Sequence, residues 1–275
     1  GLGIASKWTA AYGALGLAAL FFGKLILSFR DAVRNREELL PLKRVSLKLC
    51  LWCCLFFLAI PFGLYFAAYL PLTTLSHNRA SLWECFWRYQ TTMFNYHSQL
   101  VAEHYFASPW YEWPFVVRPI WYFSGNPADA QGHYSTISAL GNPLLWWAGI
   151  PALLAAGVQW VRERKVYAAV VLCGFLSVYL PWALVPRLTF IYHYFTAVPF
   201  LIIALTGVFA KLPETQLGRL SLKMRGRSLS LAALFPWCLT AGCLILFCVY
   251  FPVISGMPAD RAYINALRLF PTWYF

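Results

Sequence analysis

LCLWCCLFFLAIPFGLYFAAYL, residues 49–70, runs from end to end without a charged side chain. Wound as an α-helix it would be about 33 Å long, enough to cross a bilayer's hydrocarbon core of about 30 Å. Five further stretches have the same character, at about 4–28, 142–161, 166–185, 189–210 and 230–252. The chain is therefore expected to be an all-α integral membrane protein with about six transmembrane helices. Pro61, Pro151, Pro181, Pro199 and Pro236 interrupt these runs, which a membrane tolerates where neighbouring helices repair the lost hydrogen bonds. Lys24 lies near one end of the first run, where it can reach the headgroups.

Composition agrees with lipid as the solvent. The chain is 60% hydrophobic, 19% aromatic and 12% charged, against roughly 25% charged residues in a soluble domain. A net charge of +12 would suggest nucleic acid in a soluble protein. Here the cations fall between apolar runs, which reads as topology and anionic-lipid contact, with no nucleic-acid partner. Segments 30–48, 162–165 and 211–227 hold fourteen of the twenty-two Lys and Arg. By the positive-inside rule these segments are expected on the cytoplasmic side. Residues 71–141 and the C-terminal tail then face outward, towards a periplasm, cell exterior or ER lumen. The expected organisation is two spans within 1–70, an extracytoplasmic segment 71–141, and a four-span region with an outer tail over 142–275.

The first residue is Gly, and no basic region or small-residue cleavage site opens the sequence. The start is therefore read as lying partway through a longer chain rather than as a signal peptide. Seven of the eight Cys sit in apolar runs, where Cys behaves as a small hydrophobe. Cys50 and Cys53 mimic a CxxC pair, but no second pair or His follows at zinc spacing. Cys85 has no partner in the outer segment, which argues against a structural disulfide.

Two outer stretches concentrate the chemistry. Residues 81–105 place Leu82, Cys85, Phe86, Tyr89, Met93, Tyr96 and Leu100 at helical intervals, an amphipathic helix suited to the membrane surface or to covering the spans. Beyond it, FNYHSQLVAEHYFASPWYEWPFVVRPIWYF (94–123) sets His97, Glu103, His104, Glu112 and Arg118 among Trp110, Tyr111, Trp113, Trp121 and Tyr122. Ionisable groups in an aromatic interface are costly unless paired or used, whereas an anchoring belt needs only Trp and Tyr. The second stretch is PRLTFIYHYF (186–195), where Arg187, Tyr192 and His193 would sit at headgroup depth. A cation beside hydrogen-bonding rings suits a phosphate, and the competing reading is an interfacial anchor. His97 and His104, seven apart with Glu103 adjacent, would suit a divalent metal, but nothing else has ligand spacing and no metal ligand is assigned.

Together with ISALGNPLLWWAGI (137–150), YLPWALVPRLTFIYHYFTAVPFL (179–201) and the opening GLGIASKWTAAYGALGL (1–17), the stretch 97–123 resembles the C-terminal membrane region of protein O-mannosyltransferases. The resemblance covers nearly the whole chain in the family's order. It implies a GT-C type polytopic bundle with a structured outer loop. It also implies transfer of mannose from a polyprenyl or dolichyl phosphate to Ser or Thr of exported proteins. The active face would be extracytoplasmic, in the plasma membrane of a bacterium or the ER membrane of a eukaryote. The donor would be the lipid-phosphate-mannose itself, with no cofactor assigned beyond a possible divalent metal.

Two departures accompany the resemblance. Tyr105 stands where the family has Pro after the loop His. The family also carries an Asp-Glu pair in its first outer loop as the expected catalytic carboxylate, and no Asp-Glu dipeptide occurs here. No catalytic base is therefore assigned in this chain, Glu112 and Glu103 being weak candidates. The expected phosphate contacts are Arg187, Tyr192 and His193, with Arg118 in reserve. The expected sugar or acceptor pocket is lined by His97, His104, Glu112, Trp110 and Trp113. The alternative is a non-catalytic membrane fragment or subunit that binds lipid-linked sugar. A transporter is disfavoured because no inverted hydropathy repeat is visible.

Overall fold

The computed structural model describes residues 1–75, 80–99, 103–125, 132–224 and 227–275. Its helices in chain order are α1 (Leu2–Ser6), α2 (Ala10–Arg34), α3 (Leu39–Cys54), α4 (Ile60–Ala67), α5 (Leu70–Leu75), α6 (Leu82–Gln99), α7 (Pro143–Glu163), α8 (Val166–Tyr179), α9 (Val198–Lys211), α10 (Gln216–Arg219), α11 (Leu231–Ser255) and α12 (Arg261–Ala266). Six short strands accompany them: β1 (Ile120–Ser124), β2 (His133–Tyr134), β3 (Thr136–Ala139), β4 (Ser221–Met224), β5 (Arg227–Ser230) and β6 (Ala259–Asp260). Six helical stretches are long and apolar enough to span a membrane: Ala10–Arg34, Leu39–Thr74, Pro143–Glu163, Val166–Leu184, Ile191–Glu214 and Leu231–Ser255. The protein is thus a multi-pass, helical membrane protein as expected, with strand pairs β1–β3, β2–β6 and β4–β5 added. Two compact units divide the chain, Gly1–Val101 with Leu176–Val178, and Ala102–Phe175 with Tyr179–Phe275.

In the first unit the spans differ from expectation at their ends. The first begins at Ala10, after extended backbone at Lys7 separates it from the short α1. The second begins at Leu39, so Lys43, Arg44 and Lys48 ride on a helix and not on the expected loop 30–48. Pro41 does not prevent this, because the first-turn N–H groups of a helix have no partner to lose. A π-helical turn, Leu55–Ala59, directly precedes Pro61, a common way for a helix to absorb an irregular ladder.

Helix α6 begins with a reciprocal cap. The Ser81 backbone N–H donates to Glu84 Oε2 at 2.8 Å, and the Glu84 N–H donates to Ser81 Oγ at 3.3 Å. The Ser81 N–H and the Ser81 hydroxyl, both donating to the Glu84 carboxylate, hold it below the usual carboxylate range. The helix covers span two by sinking Phe86 among Phe62, Tyr65, Phe66 and Tyr69. Tyr89 and Tyr96 of the expected stripe remain exposed, and Leu100 lies outside the described residues. A polar knot completes this packing. Trp8 Nε1–H donates to Tyr65 Oη at 2.7 Å, Tyr65 donates to Gln90 Oε1 at 2.7 Å, and Gln90 Nε2–H donates to Tyr69 Oη at 2.9 Å. Each half-buried hydroxyl thereby finds the partner that an apolar setting demands.

The second unit is built on α7 and α9, packed around Ala152, Val171, Ala204 and Leu205. Gly149 permits the close approach, since a Cβ there would lie 2.9 Å from Leu201. The Leu140–Pro143 stretch of the sequence acts as the hinge into α7. Gly141 leaves room for the Trp146 ring, which a Cβ would meet at 2.2 Å. Asn142 caps α7 by accepting from the Leu145 N–H, while its Nδ2–H donates to the Cys243 carbonyl of α11 at 2.8 Å. Replacing Asn142 by Ala removes both bonds, and thermal unfolding in detergent is expected to report a loss of about 2 kcal/mol.

The C-terminal tail is not a free appendage. Its strand β6 pairs with β2, and the buried Trp273 donates its indole N–H to the Val116 carbonyl at 2.7 Å. Thr272 hydrogen-bonds Val117, and Ser138 Oγ–H donates to the Tyr274 carbonyl at 3.2 Å. The tail therefore clamps the segment that carries the aromatic motif.

Candidate functional site

The two motif stretches meet in the second unit along a short ladder. Ser108 donates its N–H to the Thr189 carbonyl at 2.9 Å, and Thr189 Oγ1–H donates to the Ser108 carbonyl at 2.8 Å. Both residues are buried, so these bonds set the register of 104–118 against 186–195. Trp113 adds to the joint by donating its Nε1–H to Ser108 O at 3.2 Å and Ser108 Oγ at 3.1 Å. Changing Thr189 to Val keeps the shape and removes one donor, which is expected to lower stability by about 1 kcal/mol in a chemical or thermal melt.

The turn Trp110–Phe115 follows from its prolines. Pro109 precedes it in extended conformation and Pro114 lies inside it, so a longer α-helix is ruled out and the chain closes a 3-10 turn. The turn ends at Val116 in the left-handed region, φ 56°. A β-branched residue is strained there, and the Trp273 bond to its carbonyl holds it in place.

Within this frame the expected residues separate into a wall and a surface. Trp113 is 0% exposed and His193 is 4% exposed. The His193 ring stacks on Trp182 at 3.8 Å, 9° from parallel, and both meet Trp113 edge-on at 5.8 Å. These two residues were expected to touch sugar and phosphate. Both side chains are buried behind the surface residues of the two stretches. Trp110 is half-buried, with its ring edge-on to Tyr179 at 5.3 Å and its carbonyl accepting from Tyr179 Oη at 3.0 Å.

The surface set follows one line of contacts. His104 is exposed, sits edge-on to Phe190 at 5.1 Å, and accepts the Phe106 N–H on Nδ1 at 3.2 Å. Phe190 stacks on Tyr192 at 5.8 Å. Arg187 is half-buried and its charge acts on the Tyr192 phenol. Among the described residues Arg187 has no hydrogen bond or ion pair. Arg118 is more committed, donating to the Tyr105 and Ala107 carbonyls at 3.3 and 3.2 Å. Tyr105, in the place of the family's Pro, hydrogen-bonds Tyr274 of the tail. Glu112 Oε2 is buried with no hydrogen-bond partner among the described residues.

Two expected residues fall elsewhere. His97 lies on α6 in the first unit, with its ring 6.4 Å from Trp8. The described helix runs to Gln99, and His104 belongs to the second unit outside it. Among the described residues no three His, Cys, Asp or Glu gather as a metal would require. Glu103 is exposed.

Sequence reasoning gave Tyr122 no role. The β1–β3 pairing slips between Trp121 and Phe123, which face Ser138 and Ile137, so Tyr122 is the extra residue of a bulge. Bulges re-aim side chains and recur beside functional sites. The ring is 59% exposed, yet desolvation of the phenol, reinforced by Tyr192, pushes it above its ordinary range. Aromatic contacts carry β1 into the same line, since Trp121 meets Phe106, which meets His104.

The profile described as the C-terminal four TMM region of protein-O-mannosyltransferase matches residues 82–273. A Mycobacterium tuberculosis polyprenol-phosphate-mannose–protein mannosyltransferase is 26% identical over 311 residues, covering 99% of this chain and 55% of that protein. Its Mycolicibacterium smegmatis counterpart is 25% identical over 302 residues, covering 99% and 56%. A Saccharomyces cerevisiae dolichyl-phosphate-mannose–protein mannosyltransferase is 30% identical over 149 residues, covering 48% and 17%. The chain thus spans about half the length of the mycobacterial relatives it matches. A solved S. cerevisiae protein O-mannosyltransferase complex bound to the sugar donor superposes with TM-score 0.56 at 20% identity, covering 73% of this chain and 28% of that one. That likeness is one of fold.

Proposed function

Because this chain belongs to the protein O-mannosyltransferase family, we propose that it forms the C-terminal membrane part of an enzyme moving mannose from a polyprenyl or dolichyl phosphate to Ser or Thr hydroxyls. In that transfer the acceptor oxygen bonds to the mannose anomeric carbon as the bond from that carbon to the phosphate oxygen breaks. The electron pair leaves on the lipid phosphate, and a carboxylate takes the hydroxyl proton. The work of this chain is on the phosphate side. Arg187 supplies the positive charge, and Tyr192 and the bulged Tyr122 supply phenolic donors around it. Arg118 is held by the Tyr105 and Ala107 carbonyls and orders the loop. Trp110, His104 and Glu112 border the sugar or acceptor, and the buried, unpartnered Glu112 oxygen suits a substrate hydroxyl.

The single observation that carries this reading is Arg187, a half-buried residue whose charge reaches the Tyr192 phenol and which has no ion pair or hydrogen bond among the described residues. A guanidinium with no such partner has its planar fork of donors open to an anion such as a phosphate. The proton-accepting carboxylate is assigned outside this chain, on the resemblance to the family, and the active face is assigned to the extracytoplasmic side from the cation distribution. The test is an assay of the whole gene product with polyprenyl-phosphate-mannose and a Ser/Thr-rich peptide, beside binding of polyprenyl phosphate to the purified chain. Transfer with lipid-phosphate binding is expected; absence of both overturns the reading. Binding by the chain with no transfer by the whole product supports the non-catalytic alternative. Tyr122→Phe, which removes a neutral donor, is expected to weaken lipid-phosphate binding roughly two- to tenfold.

A further inference from the structure

Within the first unit, the α2–α3 hairpin carries a cation ladder that the transfer chemistry does not use. Ala32 on α2 and Ser46 on α3 are buried, which marks the faces turned towards protein. At about 100° per residue, Arg30 and Arg34 each lie about 200° from Ala32, and Arg44 and Lys48 each lie about 200° from Ser46. Each helix therefore presents an i, i+4 pair of cations on its face away from the protein, with Lys43 beside the second pair. Like charges at that spacing repel and call for a counter-charge. Arg30 has one, since Asp31 lies 3.9 Å away. Lys43, Arg44 and Lys48 have no hydrogen bond or ion pair among the described residues. From Leu39 to Leu75 the sequence contains no Asp or Glu to supply one. Glu37, in the hairpin turn, already accepts from Asn35 at 3.3 Å.

The surroundings point to lipid as the source of the counter-charge. The span Leu39–Thr74 has 36 residues, and the apolar window within it is 0% buried by protein. Its length of about 54 Å exceeds a hydrocarbon core of about 30 Å, so its charged end emerges among the headgroups. On that end exposed Leu40, Val45 and Leu47 are interleaved with the three cations. That pattern puts aliphatic groups at the acyl boundary while the charges reach phosphates.

We propose that the Lys43, Arg44 and Lys48 face of this hairpin binds anionic phospholipid headgroups in the leaflet it meets. The test uses the purified chain in nanodiscs of phosphatidylcholine alone or with phosphatidylglycerol, reading retained lipid by native mass spectrometry. Preferential retention of phosphatidylglycerol is expected, weakening as salt rises. The triple change Lys43→Gln, Arg44→Gln, Lys48→Gln is expected to lower that affinity on the order of a hundredfold. The charge-keeping set Lys43→Arg, Arg44→Lys, Lys48→Arg should retain it. Equal retention of the two lipids, salt-insensitive retention, or an unchanged affinity in a folded Gln variant overturns the proposal. Salt dependence in the unaltered chain decides the matter if the Gln variant does not fold. Displacement of phosphatidylglycerol by a soluble acidic protein, with no lipid preference left, would instead assign the face to a protein partner and overturn it too.

Discussion

Replacing Arg187 by Ala is expected to weaken binding of polyprenyl phosphate roughly ten- to hundredfold, and transfer by the whole gene product to a similar degree. The size follows from the kind of bond lost. A guanidinium to a phosphate oxygen is a charge-assisted hydrogen bond, about twice as strong as a neutral one, and partial burial reduces screening by salt. Arg187→Lys keeps the charge but loses the planar fork, so an intermediate loss is expected. Equal losses for Ala and Lys would refute a charge role and leave geometry as the cause. Arg118→Ala offers a contrast. Because its guanidinium donates to the Tyr105 and Ala107 carbonyls, its removal should lower stability and disturb the loop more than it lowers phosphate affinity in protein that remains folded. Titrating purified variants with polyprenyl phosphate, beside thermal melts, separates the two outcomes.

Trp113→Ala is expected to be the most damaging change to the outer segment, costing about 3–5 kcal/mol. The side chain is fully buried and touches Tyr179, Trp182 and His193. Its loss opens a cavity, removes the indole donor from Ser108, and frees the stacked His193–Trp182 pair on one side. Trp113→Phe keeps most of the apolar volume and is expected to cost about 1–2 kcal/mol. Unfolding midpoints in detergent check both. A Trp113→Ala protein that keeps its melting temperature and only loses sugar affinity would show that the ring faces substrate after all.

Part of the site could be read directly from the residue order. Arg187 and Tyr192 lie in one ten-residue stretch, and the resemblance to the family's aromatic motifs identified the outer segment that bears Trp110 and Glu112. What could not be read was which aromatic residues face inward. Trp110 and Trp113 are three apart in the same short motif, but one keeps part of its ring exposed and the other none. Tyr122 was named among the aromatic residues but given no role, because a bulge depends on the register with β3 and leaves no mark in β1 alone.

The division has a physical cause. Whether a segment enters lipid depends on the summed transfer free energy of about 20 neighbouring residues, a local quantity that composition supplies. The six spans and their separation by basic segments are properties of that kind, and their number agrees with the structure. The orientation of an individual ring depends on partners far away in the chain. Ser108 is 81 residues from Thr189, and Val116 is 157 from the Trp273 that holds its left-handed backbone. Those long-range bonds enclose Trp113 and His193, clamp the Trp110–Phe115 turn with the C-terminal tail, and leave Arg187 half-buried with no hydrogen bond or ion pair among the described residues.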